Sequence, residues 1–135
     1  MLNKLGKHGD VGYLILRLAF GIIFLVHGWA KLADLSGTAG FFSGLGIPAA
    51  MFFAVVVALV EFLGGISAIV GFLTRWAGLL IAIDMLVAFF LVHISNGFYV
   101  NNGGFEFVLI LFGAAVFLMF NGAGKLSLAS KMSKR

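Results

Sequence analysis

Seven ionisable side chains stand within or at the edges of apolar runs: Arg17, His27, Lys31, Glu61, Asp84, His93 and Glu106. Such groups cost roughly 2.5–3.5 kcal/mol each to insert into a bilayer, so their presence demands a reason. Their types point to proton chemistry. Histidine titrates near neutral pH, and a carboxyl group can be tuned to exchange protons there. In "FLVHGWAKL" (24–32), His27 and Lys31 are four residues apart and project the same way from a helix.

The seven fall into two groups by depth. Arg17, Glu61 and Asp84 form an inner-to-middle group. Glu61 is near the centre of its apolar run. Arg17 is expected to reach either acid, and one arginine cannot neutralise two carboxylates. One acid, Glu61 for preference, is therefore expected to hold or share a proton. The plainer reading is an ion pair that sets helix register. His27, Lys31, His93 and Glu106 form an outer group, with Asn101 and Asn102 in the loop between the last two. Under Phe41, Phe42, Phe98 and Tyr99 they would make a polar pocket with an apolar lid. The plainer reading leaves them at a wet interface.

The elements that must hold these groups are membrane helices. Of the 135 residues, 62% are hydrophobic and 10% charged. Mean hydropathy is +1.16. A water-soluble domain this small needs far more polar surface. Four apolar runs, about 11–30, 49–73, 76–92 and 104–120, approach the ~20 residues that span a bilayer core. None alternates as a barrel strand would. The first run is too long for a cleaved leader, and Arg17 interrupts it. We therefore expect an all-α, polytopic membrane protein. It is a single domain over 1–135, built as a four-transmembrane-helix bundle.

Charge sets the expected orientation. Lys4, Lys7, Arg75, Lys125, Lys131, Lys134 and Arg135 fall on one side of the four spans. The positive-inside rule makes that side cytoplasmic, with both termini inside. The net charge of +4 is thus read as topology and not as nucleic-acid affinity. In the first outer loop a short interfacial helix is expected, capped by Ser36 and running through Leu45.

Other chemistries are disfavoured. The chain has no cysteine, which removes disulfides and thiol-ligated clusters. Bis-histidine haem would rest on His27 and His93 with no further motif. A metal site would need His27, His93 and Glu106 together. No dinucleotide-binding glycine fingerprint follows a strand, so neither NAD nor flavin is expected.

Arg17, Gly21, Phe24, Gly28 and Lys31 form one helical stripe in "RLAFGIIFLVHGWAKL" (17–32). With "FFSGLGIP" (41–48), "EFLGGISAIVGFLTRWAGLLIAIDMLVA" (61–88), "HISNGFYVNNGGFEF" (93–107) and "GAGKLSL" (122–128), the chain resembles the DoxX family. Ala129 departs from the acid that often follows the final Ser-Leu in that family. The resemblance implies a bacterial inner-membrane protein with four helices, of a group described as candidate oxidoreductases. Some relatives are subunits of thiosulfate:quinone oxidoreductase.

The leading expectation is an integral membrane subunit of a quinone-linked oxidoreductase. His27, Lys31, Glu106 and Asn102 would border the quinone, while Glu61, Asp84, His93 and Arg17 would serve proton transfer. Membrane lipid and an electron-donating protein would be its partners, because the chain shows no electron carrier of its own. The alternative is a non-catalytic anchor or assembly module of a redox or stress-response complex. A third reading is a small proton-coupled carrier, for which a homodimer would supply the missing spans.

Overall fold

A computed structural model describes residues 6–133. Lys4, Lys134 and Arg135, which contribute to the expected charge asymmetry, lie outside the described residues. The fold is all-α, with no strand among the described residues. Helix α1 is Gly9–Ala33 and α2 is Leu35–Gly44. Helices α3 and α4 are Ala50–Val70 and Thr74–Ala88. Helix α5 is Glu106–Asn121 and the short α6 is Leu128–Met132.

Three helical stretches are long and apolar enough to cross a membrane: Gly6–Ala33, Ala50–Val70 and Thr74–Asn96. Helix α5 is equally apolar but has 16 residues. At ~1.5 Å per residue it reaches about 24 Å, less than the ~30 Å hydrocarbon core.

Small residues decide the packing, because only they let helix backbones approach closely. A Cβ on Gly28 would overlap the Phe62 backbone, and one on Gly65 would overlap Leu25, so α1 and α3 lie antiparallel in close contact. Gly64 receives Ile81 of α4, and Gly78 of α4 seats against Ala115 and Met119 of α5. The buried face of α1 is Arg17, Phe20, Gly21, Phe24 and Gly28, which follows the stripe seen in the sequence. Phe20 and Phe24 join Ala68, Ile81, Met85, Val108 and Leu118 in the core. Large apolar side chains such as Ile15, Trp29, Leu63 and Ile110 are exposed around the outside, as lipid requires.

Local boundaries differ from expectation in three places. The interfacial helix is capped by Asp34, not Ser36: Asp34 Oδ1 accepts from the Gly37 N–H at 2.8 Å. A carboxylate at this position also favours the positive end of the helix dipole. Helix α3 stops at Val70 because Gly71 adopts a left-handed conformation (φ 73°), which closes the helix. Helix α4 loses α-geometry after Ala88. It continues as a π-helical turn, Phe89–His93, and a 3-10 turn, Ile94–Asn96.

The bundle has two unlike ends. One gathers the 71–74 turn and the segment after α5, where Ala129 N–H donates to the Gly71 carbonyl at 3.0 Å. The other carries α2 and the 97–104 loop. They are called here the terminal end and the loop end.

Candidate functional site

Three ionisable side chains from three helices meet in the interior. Lys31 Nζ of α1 donates to Glu61 Oε2 of α3 at 2.7 Å. Asp84 of α4 faces the same Glu61 carboxyl group. Its Oδ2 is buried and has no hydrogen-bond partner among the described residues. The antiparallel packing explains the meeting. Gly28 on Phe62 sets the register of α1 on α3, and Gly64 on Ile81 sets that of α3 on α4. Those contacts bring Lys31, Glu61 and Asp84 to one level.

Exposure is graded across the set. The Lys31 side chain is 24% exposed and that of Glu61 is 5%. Lys31 lies on the wall of an open groove of about 420 Å³ between the end of α1 and helix α2. His27, Asp34, Thr38, Phe41 and Phe42 share that wall. The groove therefore combines two aromatic rings with polar groups, and its volume is in the range of small-molecule sites. Of the ion pair, Lys31 lines it.

Arg17 is placed differently from the sequence expectation. It pairs with neither Glu61 nor Asp84. Its guanidinium donates to the Ala123 carbonyl and, at 2.8 Å, to the Leu126 carbonyl. Tyr13 donates its hydroxyl to the neighbouring Gly122 carbonyl. Arg17 is 2% exposed. It is a latch at the terminal end, and its stripe-mate Lys31 supplies the cation for the acids. Sequence reasoning sorted Lys31 with the outer group. It missed how far a lysine stem reaches back along its own helix.

The outer group does not assemble as one pocket. His93 Nδ1 is 2.7 Å from the Gly103 carbonyl, and Asn96 Nδ2 approaches that carbonyl at 3.3 Å. Glu106 Oε1 accepts from the Val100 N–H at 2.7 Å. These contacts pin the 97–104 loop, on which Asn102 is exposed. His27 is across the bundle end, in the groove beside α2. His27, His93 and Glu106 form no common metal-ligand group among the described residues. Asp34 and Thr38 are groove residues to which the sequence reading gave no role, and Phe41 and Phe42, expected as part of a lid, line the groove with them.

A second, smaller cleft of about 140 Å³ lies beside the π-helical turn. Met85, Leu86, Phe89, Phe90, Leu109 and Phe112 line it, with no polar group.

Comparison with known proteins agrees with a membrane protein built this way. Residues 12–94 match the DoxX family. The chain is 35% identical over 124 residues to "Putative oxidoreductase CatD" of Bacillus subtilis, covering 92% of this chain and 89% of that one. It is 33% identical over 129 residues to the inner membrane protein YqjF of Escherichia coli, covering 96% and 98%. The membrane protein Rv3486 of Mycobacterium tuberculosis is 34% identical over 146 residues, covering 97% and 87%. No solved structure is significantly similar. A match over more than half of the chain, with relatives aligned almost end to end, makes this protein a membrane protein of the DoxX family.

Proposed function

We propose that this protein is a quinone-handling subunit of a membrane redox system, with the quinone head in the groove between α1 and α2. The observation that carries the reading is the double position of Lys31. Its side chain lines the groove, and its ammonium pairs with the buried Glu61. Reducing a quinone to a quinol takes two electrons and two protons. His27 and Lys31 are suited to donate hydrogen bonds to the ring oxygens, and Phe41 and Phe42 to cover the ring face. Glu61 and Asp84 face one ammonium between them. A proton shared by the two carboxyl groups would remove the excess negative charge from the apolar layer. The electrons come from a protein donor, since the described residues offer no carrier.

In this reading all four apolar helices lie in the inner membrane, α5 with local thinning of the bilayer. The basic terminal end is cytoplasmic, as its excess of lysine and arginine favours. The name of the Bacillus subtilis relative is in keeping with redox work.

One observation favours a second reading, in which the chain anchors a complex without binding quinone. Phe98 and Tyr99 are exposed on a loop held by His93, Asn96 and Glu106, which suits a docking surface. The test is mass spectrometry of quinone in protein extracted in mild detergent with its lipids. The quinone reading expects near-stoichiometric quinone in the wild type, lost in folded Lys31→Met and Glu61→Gln. Quinone-free wild type, with the variants altered only in complex assembly, would replace it by the anchoring reading.

A further inference from the structure

We infer that the interior acids Glu61 and Asp84 exchange protons with one aqueous phase only, the one at the loop end, and that Lys31 is the polar link to it. The use of those protons on quinone rests on the reading above; the route itself does not.

Three directions lead away from the pair, and two are closed. Toward the terminal end, the interior below the acids is Phe20, Phe24, Ala68, Ile81 and Leu118, each at most 2% exposed. The next polar side chain on α3 is Ser67, about 9 Å further along the axis. Its hydroxyl turns away to the Phe72 carbonyl. On α4 the next ionisable side chain is Arg75, about 13.5 Å from Asp84, and its guanidinium donates to the Met119 and Phe120 carbonyls. Arg17 is committed to the Ala123 and Leu126 carbonyls. Helix α5 carries no ionisable residue after Glu106. A proton would have to cross an apolar, close-packed layer with no group to receive it.

Along α4 toward the loop end, Phe89 closes the second direction. Its ring is 4.9 Å from that of Phe105, which is 5.5 Å from Phe98. His93 is beyond this aromatic stack and engaged with the Gly103 carbonyl. Glu106 is engaged with the Val100 N–H. The third direction is open. Lys31 bridges from Glu61 to the groove, where His27 and Asp34 are the remaining ionisable groups. Lysine's stem can swing its ammonium from the carboxylate into the groove and back, so the same residue holds the pair together and admits water.

The chain has five acidic side chains, and they make the test internally controlled. Asp34 and Glu106 are at the loop end, and Asp10 at the terminal end, where it meets Lys125. Glu61, which is buried, and the half-buried Asp84 are the interior pair. Right-side-out and inverted membrane vesicles would be treated with a water-soluble carbodiimide and a charged, membrane-impermeant amine. Activation turns the carboxyl into an O-acylisourea, the amine displaces the urea, and an amide remains. Peptide mass spectrometry then reads each acid separately.

We expect Glu61 and Asp84 to label from the side that labels Asp34, and several-fold less from the side that labels Asp10. Thr38→Trp, which fills the groove from the surface helix α2, should reduce labelling of the interior pair several-fold. Asp10 and Glu106 should react as before. Labelling of the pair from the Asp10 side, or undiminished labelling in Thr38→Trp, overturns the inference. So does failure to label the pair from either side while Asp34 reacts. Absence of bound quinone would defeat the functional reading and leave this result standing.

Discussion

Arg17 and Lys31 are two cations on one buried stripe of α1, and they do opposite work at opposite ends. Arg17 meets only carbonyl groups. It ties α1 to the segment that follows α5, and with Tyr13 it closes the terminal end. Lys31 meets a carboxylate and faces a groove. The terminal end is thus built on carbonyl groups that receive Arg17 and Tyr13, with Arg17 Nε and Thr74 Oγ1 buried beside them without a partner among the described residues. The loop end leaves Asp84 Oδ2 without a partner among the described residues and a cavity beside the ion pair. A buried cation is not by itself a sign of chemistry; what it faces decides. Carbonyls facing a cation make a latch, while two acids facing one cation beside a groove make a candidate site.

Arg17→Met attacks the latch and should have the largest effect on stability. It removes the donor from two part-buried carbonyls, at up to about 1–3 kcal/mol each. Thermal unfolding in detergent should shift down by the largest margin of this series. The segment after α5 should become protease-sensitive, while quinone per folded molecule stays unchanged. Loss of quinone in a folded Arg17→Met would erase the contrast between the two ends.

Gly28→Val attacks both regions through the helix contact that sets their register. Its side chain would run into the Phe62 backbone. Overpacking of this kind costs about 1–3 kcal/mol. It should also part Lys31 from Glu61, so melting temperature and quinone content should fall together.

Glu61→Gln sharpens the contrast from the loop end. The Lys31 side chain is already 24% exposed and can turn into the groove, so its charge is not stranded. The stability loss should be about 1–2 kcal/mol, below the ~3–5 kcal/mol typical when a fully buried pair is broken. Quinone retention should nevertheless be lost. A melting loss as large as that of Arg17→Met, with quinone retained, would make Glu61 a packing device.

Asp10→Asn should do least. The Lys125–Asp10 pair spans 3.4 Å with side chains 81% and 45% exposed. Surface pairs contribute about 0–1 kcal/mol, so the melting curve should scarcely move.

Much of the architecture was legible in the sequence because lipid imposes a simple rule on composition. The apolar runs, their helical state and the inward stripe of Arg17, Gly21, Phe24 and Gly28 follow from periodicity and the need to satisfy the backbone. The end of α4 was less legible. Phe89–His93 is as apolar as the residues before it, and a π-helical turn leaves no mark in hydropathy. The cap of α2 was missed because Asp34 and Ser36 are both competent caps two residues apart.

By itself, then, the sequence determined that this chain lives in lipid, that it is helical, and which side chains are too polar to be there without cause. Insertion cost and backbone satisfaction act on each segment separately, so one segment's residues suffice to read them. Only the tertiary structure decided the partners: Lys31 with Glu61 and Asp84, Arg17 with the chain that follows α5, His93 and Glu106 with a loop. Those pairings depend on the axial register between helices. That register is set by where a glycine on one helix admits the backbone of another, a contact between residues far apart in the chain.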